Sequence, residues 1–434
     1  LPSHHLEIID SYIQLGLLKR KQLKYEEAKV YLSQAIELLE FQASPDTKRL
    51  GVAYNHLGNL YWSLVLTDDS IAAHKKALKF RLKNKDYVLI ADSYNNIGVQ
   101  YRVKKDWDAS ANYFQLAEKY YDQYSPGHPY SFYVKNNMAY VQEQRFKWQE
   151  VLRLYKETLA GFTKAYGDEH FNTLTVKKNL AKFYTRRLLN QQSINLWHEI
   201  IETYEISSKI EELAVSYSYL AHNYFQINQI EKSLKYYQKS MELIENVQIK
   251  NKREVADIFA FYALTYLELK QFEKAEQLTQ KGIDLFSEEN ELGNSYRMFF
   301  INQLGDIKLI TQQPLKAQRL FQQVLDLMNL NVAQNKVEKI KAFIGLSKIQ
   351  LNFKNYDNAL LNITKALDLA QQLYGKNHRL IAQVQFHLGE IYNEINQRNK
   401  ALEHLNKALE IQKLVLAKGH KDLLATKLMI ESLD

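Results

Sequence analysis

Along the chain a small residue recurs among larger apolar ones at a nearly fixed interval: Gly16, Gly58, Gly98, Ala139, Ala181, Ala221, Ala263, Gly305, Ser347 and Gly389, with separations of 42, 40, 41, 42, 40, 42, 42, 42 and 42. Before each comes a larger, usually apolar residue, as in Leu57, Ile97, Met138 and Leu388, and three residues after it a Tyr is frequent, as in Tyr61, Tyr101, Tyr184, Tyr224, Tyr266 and Tyr392. Spacings of three and four put these side chains on one helical face. Twelve residues after each small position lies a second one: Ala28, Ser70, Ser110, Val151, Ser193, Ser233, Ala275, Ala317, Ala359 and Ala401. A constant offset of twelve is what two antiparallel helices joined by a short turn of fixed geometry would require, with small residues where the backbones approach closely. The pattern predicts an all-α solenoid of about ten helical hairpins over residues 1–420, and residues 421–434 as a helix capping the last apolar face. A single large helical bundle is the alternative, but it does not call for so regular an interval.

Composition agrees with helix nearly throughout. Only 14 Gly and 5 Pro occur in 434 residues, and Pro2, Pro45, Pro126, Pro129 and Pro314 all fall in the terminus or in expected turns. The chain has no cysteine, which excludes disulfides, thiolate metal sites and a cysteine nucleophile. No apolar run approaches the ~18 residues that span a bilayer, so no membrane span is expected. The first residue is Leu rather than Met, compatible with a processed form or an excerpt of a longer protein. A cytoplasmic location is expected, or an extracytoplasmic one if a signal peptide has been removed.

The large/small pair, the following Tyr and the later Ala and aromatic positions resemble the tetratricopeptide repeat. Repeat two carries the pattern with Tyr54, Leu57, Gly58, Tyr61, Ser70 and Ala77, and repeat three with Tyr94, Ile97, Gly98, Tyr101, Ser110, Phe114 and Ala117. The usual unit has 34 residues. A period near 42 resembles the longer repeats of kinesin light chains and of bacterial arrays, including those attached to CHAT peptidases. The resemblance implies a right-handed superhelix whose first helices line a concave groove that grips extended peptides. Repeats four and five depart most from the pattern: Lys135 and Lys177 replace an aromatic, Val151 a small residue, and Thr158 and Ile200 a late Ala. A change of curvature and a softer centre are expected there.

Candidate chemistry is sparse. Tyr166-Gly167-x-x-His170 and Tyr374-Gly375-x-x-His378 share spacing, with looser versions at Gly127-His128 and Gly419-His420. Gly is expected to stop one helix in the left-handed αL conformation, and His to cap the next. Metal binding or catalysis is the alternative for these histidines, but side chains on separate hairpins need not converge. His4 and His5 read as terminal. No Gly-rich phosphate loop, metalloprotease His pair, serine elbow or calcium loop is present, so no enzyme and no cofactor are expected.

Candidate binding residues lie on the first helices. Asn55, Asn95 and Asn136 sit three residues before the small position, with Asn59, Asn96, Asn137 and Asn179 nearby. Asn is a poor helix former that offers a donor and an acceptor. Two readings stand open: a ladder for a ligand's backbone, or amides paired with neighbouring helices. Arg102, Lys178, Lys182, Arg186 and His222 share the expected face and would suit a carboxylate or an acidic stretch of a partner, or else form an ordinary solvated charge face. Trp62 and Tyr140 are candidates for apolar pockets between the polar positions, as are Tyr219 and Phe225, although most aromatics in such a fold are core.

The expected function is that of a protein- or peptide-binding scaffold centred on repeats two to six. The alternative is a regulatory arm of a larger effector, a CHAT caspase-like peptidase or a sensor kinase, whose catalytic domain lies outside this chain. Nucleic acid is not an expected partner, because the net charge of +8 is spread over many repeats and no nucleic-acid module is present. The second half reads as structural extension.

Overall fold

The computed structural model describes residues 3–245, 247, 249–287, 291–327 and 333–433, without the side chains of 3–5, 291–293, 333 and 334. Pro2 and the side chains of His4 and His5 lie outside the described residues. All regular structure among the described residues is helical, and the chain divides into two compact units, Leu1–Lys177 and Lys178–Asp434.

In the first unit α1 (Ser3–Lys21) pairs with α2 (Tyr25–Glu40), α3 (Thr47–Ser63) with α4 (Thr67–Asn84), α5 (Tyr87–Val103) with α6 (Trp107–Tyr124), and α7 (Pro129–Gln144) with α8 (Trp148–Tyr166). The division falls inside α9 (Phe171–Arg186). The second unit continues with α10 (Asn190–Ser207), then α11 (Ile210–Gln226) paired with α12 (Ile230–Glu245), α13 (Lys252–Glu268) with α14 (Phe272–Leu285), and α15 (Glu291–Ile310) with α16 (Pro314–Asp326). It ends with α17 (Ala333–Asn352) on α18 (Tyr356–Tyr374), α19 (Arg379–Glu394) on α20 (Arg398–Val415), and α21 (Lys421–Leu433) against α20. Each central small residue sits on the first helix of a pair. Pro129 and Pro314 are the first residues of α7 and α16, where a missing N–H costs nothing.

The constant offset of twelve has a hydrogen-bonded cause. Seven residues after each small position the backbone is left-handed, at Leu23, Val65, Lys105, Phe146, Leu188, Asn228, Lys270, Gln312, Lys354 and Asn396, with φ between 56° and 62°. The next N–H bonds back to the carbonyl five residues earlier at 2.8 to 3.0 Å, the closure of a Schellman motif. That same residue's carbonyl accepts the N–H of the second small position at 2.9 to 3.1 Å, opening the second helix. One residue thus ends one helix and starts the next in all ten pairs. No glycine occupies the left-handed position, which is why a search for Gly and Pro does not reveal this turn.

Close approach explains the small residues. A Cβ added to Gly98 would lie 2.8 Å from the Phe114 ring, and one added to Gly305 2.6 Å from Phe321. Leu32, His74 and Leu405 fill the equivalent place over Gly16, Gly58 and Gly389. Where the second small residue is Ser, its hydroxyl can tie the helices together: Ser70 donates to the Gly58 carbonyl (2.9 Å), Ser110 to Gly98 (2.8 Å) and Ser193 to Ala181 (3.0 Å). In repeat four Lys135 reaches Glu157 (2.8 Å) and Glu118 (3.5 Å), and in repeat five Lys177 approaches Asp168 (3.4 Å), so ion pairs stand where other copies have a ring.

Gly167 and Gly375 do not adopt the expected αL conformation. Gly167 has φ 89° and ψ 169°, and Gly375 φ 71° and ψ −134°, regions that glycine alone enters freely. The histidines that follow are helix caps: Nδ1 of His128, His170, His378 and His420 each accepts the N–H two residues on at 3.2 Å. His170 stacks on Tyr166 (4.5 Å between centroids) and His378 on Tyr374 (3.5 Å). The Tyr is therefore part of the motif, holding the imidazole over the end of the preceding helix.

Candidate functional site

In the first unit α3 carries Asn55, Asn59 and Trp62, α5 carries Asn95, Asn96 and Arg102, and α7 carries Asn136, Asn137 and Tyr140. The amides meet between helices. Asn96 Nδ2 donates to Asn55 Oδ1 (3.1 Å), and Asn137 Nδ2 donates to Asn95 Oδ1 (3.3 Å). The asparagine two residues before one small position thus bonds the one three residues before the previous small position. Each bond uses one donor and one acceptor of groups that have two of each, so an amide stitched to its neighbour retains capacity for a ligand. Trp62 is 50% exposed and Tyr140 42%. The Arg102 guanidinium lies 5.5 Å from the Tyr140 ring centroid, and Trp107 meets that ring edge-on at 6.3 Å. Burial lowers the Arg102 pKa, with Tyr140 acting in the opposite sense.

In the second unit Lys178, Asn179, Lys182 and Arg186 lie on α9 and His222 on α11. Lys182 sits 4.6 Å over the Tyr219 ring, and the Tyr219 hydroxyl donates to Asp257 Oδ2 at 2.7 Å. Burial lowers the Lys182 pKa and raises that of Asp257; Asp257 partly restores the lysine, while Tyr219 and Lys182 pull the carboxyl back. Lys178 lies 5.8 Å over Tyr204, and Arg186 is exposed. His222 stacks on Phe261 (4.6 Å) and shares a hydrogen bond with Gln226 through Nε2 (2.9 Å), while its Nδ1 is buried without a partner. Burial takes its pKa down to about 4. His222 therefore enters this face as a neutral ring.

The first helices of repeats seven to ten, read above as structural extension, line three adjoining clefts, the third completed by α20 and α21. One of about 220 Å³ is lined by Ala256, Asp257, Ala260, Ser295, Tyr296, Phe299, Val337 and Glu338. It shares Phe299 and Val337 with a cavity of about 520 Å³ that also takes in Leu264, Asn302, Gln303, Asp306, Lys341, Ile344, Lys348 and, from α19 and the turn before it, His378, Arg379 and Gln383. Lys348, Arg379 and Gln383 continue into a third of about 220 Å³, bounded by His387, Gln412 and Asp422.

Polar groups brace these walls. Asn302 Nδ2 donates to the carbonyl and to Oε2 of Glu338 (both 2.9 Å), Glu338 Oε1 pairs with Lys341 (2.8 Å), and Gln303 Nε2 reaches the Ala260 carbonyl (3.3 Å). His387 hydrogen-bonds Glu390, and burial lowers its pKa against the pull of that carboxylate.

A signal for this region was present in the sequence. Asn302 stands three residues before its small position, as do Asn55, Asn95 and Asn136. Asp306 and Lys348 stand one residue after theirs, as do Asn59, Tyr140, Lys182 and His222. Following each register to the end of the chain would have found them.

Family models described as tetratricopeptide repeat match residues 9–38, 212–288 and 342–413. No curated protein matches the sequence. Among solved structures, a Rap protein complexed with competence and sporulation factor is similar at 12% identity and TM-score 0.51, covering 85% of this chain and 98% of that one. BtubC (BKLC) from P. vanneervenii is similar at 14% identity and TM-score 0.43, covering 57% and 95%. The nearly identical TPR-like repeats of a kinesin-light-chain-like protein of Podosopora anserina are similar at 14% and 0.43, covering 47% and 99%. The chain carries tetratricopeptide repeats, a scaffold fold that typically binds proteins and is generally non-catalytic. No helix of the described residues is long and apolar enough to cross a membrane.

Proposed function

We propose that this chain of tetratricopeptide repeats is a scaffold that holds a protein or peptide partner against the faces of its first helices. The observation that carries the reading is the run of adjoining cavities of about 220, 520 and 220 Å³ in the second unit, walled chiefly by first helices and lined by apolar and polar groups together. Clefts of this size with a few fixed polar groups among apolar walls suit ligand side chains. An extended segment needs hydrogen bonds for its backbone and pockets for its side chains. Each unit by itself carries elements of such a surface: the first has the half-buried amides of Asn55, Asn59, Asn95, Asn96, Asn136 and Asn137 with the exposed rings of Trp62 and Tyr140, and the second has Asn179 and the three cavities. Lys178, Lys182, Arg186 and Arg102 favour acidic or carboxylate groups on the partner, with His222 contributing a neutral face.

The test is selection of a random peptide library on the full chain, followed by titration of the enriched peptides. Substituting Asn95 and Asn136 by Ala is expected to weaken binding of peptides held by the first unit, and Lys182 by Ala that of peptides held by the second, about tenfold or more, equivalent to ~1.4 kcal/mol. A library that yields no binder, or binders indifferent to both variants and to obstruction of the cavities, would remove the first-helix faces as the binding surface.

A further inference from the structure

We propose that the 520 Å³ cavity of the second unit binds a short zwitterionic peptide of two or three residues, its ammonium on Asp306 and its carboxylate on Lys348. The inference rests on the first-helix reading above and narrows it to one ligand chemistry at one place.

Asp306 and Lys348 hold the same position, one residue after the small residue, on the neighbouring first helices α15 and α17. Both line the same cavity. Their charges are opposite, yet no hydrogen bond or ion pair joins them to each other or to any other group among the described residues. The charges around them are better provided for: Lys341 pairs with Glu338 at 2.8 Å, and Arg379 approaches Asp422 at 3.6 Å. Asp306 is exposed, so a ligand can reach it; the surrounding protein raises its pKa, while Lys348 and Lys341 draw it back down.

A ligand with one charge would answer only half of this arrangement and would set its charge beside a like one. A dipolar ligand answers both. The axes of packed helices lie ~8–10 Å apart and an extended peptide advances ~3.3–3.6 Å per residue, so a chain of two or three residues has the length to reach from a group on α15 to one on α17. Phe299, Ile344 and Leu380 give the ligand's side chains apolar wall.

Equilibrium dialysis of the full chain against an equimolar pool of unblocked di- and tripeptides tests this, beside the same pool N-acetylated, the same pool C-amidated, and a pool of free amino acids. The unblocked pool is expected to bind, and blocking either end to weaken binding at least tenfold. Asp306→Asn should abolish the discrimination against N-acetylation only, and Lys348→Met that against amidation only, with circular dichroism confirming that both variants fold. Equal binding of blocked and unblocked pools, or binding of neither, overturns the proposal, and binding of free amino acids alone overturns the stated length. Longer peptides that bind this groove while the short pools fail would leave the scaffold reading standing and remove this inference.

Discussion

His74 offers a quantitative check on the packing between paired helices. Its ring lies under Gly58, where an added Cβ would fall 2.7 Å from Cε1, and Nδ1 is buried without a partner. Burial, helped by the Arg81 charge, lowers the His74 pKa to about 3. A histidine whose folded pKa lies below its unfolded value of ~6.5 contributes its full stability above pH ~6.5 and loses it as pH falls toward 3. At pH 4.5 the unfolded chain gains about two pKa units of protonation free energy that the folded chain does not, or ~3 kcal/mol at ~1.4 kcal/mol per unit. Leucine already occupies the same place over Gly16 and Gly389, so His74→Leu replaces the ring with a side chain this geometry accepts. The variant is expected to match or exceed the wild type at pH 7.5, since it also removes an unsatisfied polar atom, and to exceed it by ~3 kcal/mol at pH 4.5. Hydrogen exchange of α3 and α4 amides at both pH values reads the local free energy without assuming that the two units unfold together. Equal acid sensitivity of the two proteins in these helices would show that His74 is not held neutral by burial.

Three further outcomes follow from the same geometry. Val65 is a β-branched residue in the left-handed turn and is 78% exposed, so Val65→Asn, copying Asn228 and Asn396, should stabilise the first unit by ~1 kcal/mol in urea denaturation; a loss would contradict the strain argument. Ser233 Oγ is buried without a partner whereas Ser110 Oγ donates to Gly98; Ser233→Ala should therefore be neutral or stabilising and Ser110→Ala should cost ~1 kcal/mol, with equal costs refuting the bridging role. Gly98→Ala would press a methyl to 2.8 Å from Phe114 and should cost ~1–3 kcal/mol of stability, a cost that Phe114→Leu in the same chain should reduce.

The fold was legible because its repeat imposes one steric demand ten times over. Small residues at fixed offsets mark where the paired helices touch. The turn between paired helices was not legible, since its left-handed residue is Leu, Lys, Val, Phe, Gln or Asn and the motif is held by backbone bonds that leave no side-chain signature. For the candidate site, the asparagine register pointed to Asn55, Asn95 and Asn136 but was not followed to Asn302, because intervening repeats place Lys178, Ser218 and Ala260 there. The charge state of His222 was not legible either, because residue type says nothing of desolvation; stacking on Phe261 and burial keep it neutral.

The central claim, that the first helices form the binding face, is tested most directly by obstructing that face without disturbing the core. Gln383 is exposed and borders both the 520 Å³ and the adjoining 220 Å³ cavity. Titration of a library-selected peptide against the wild type and Gln383→Trp is predicted to show at least a tenfold rise in Kd with unchanged thermal stability. An unchanged Kd for every selected peptide would contradict binding at the first helices that line these cavities.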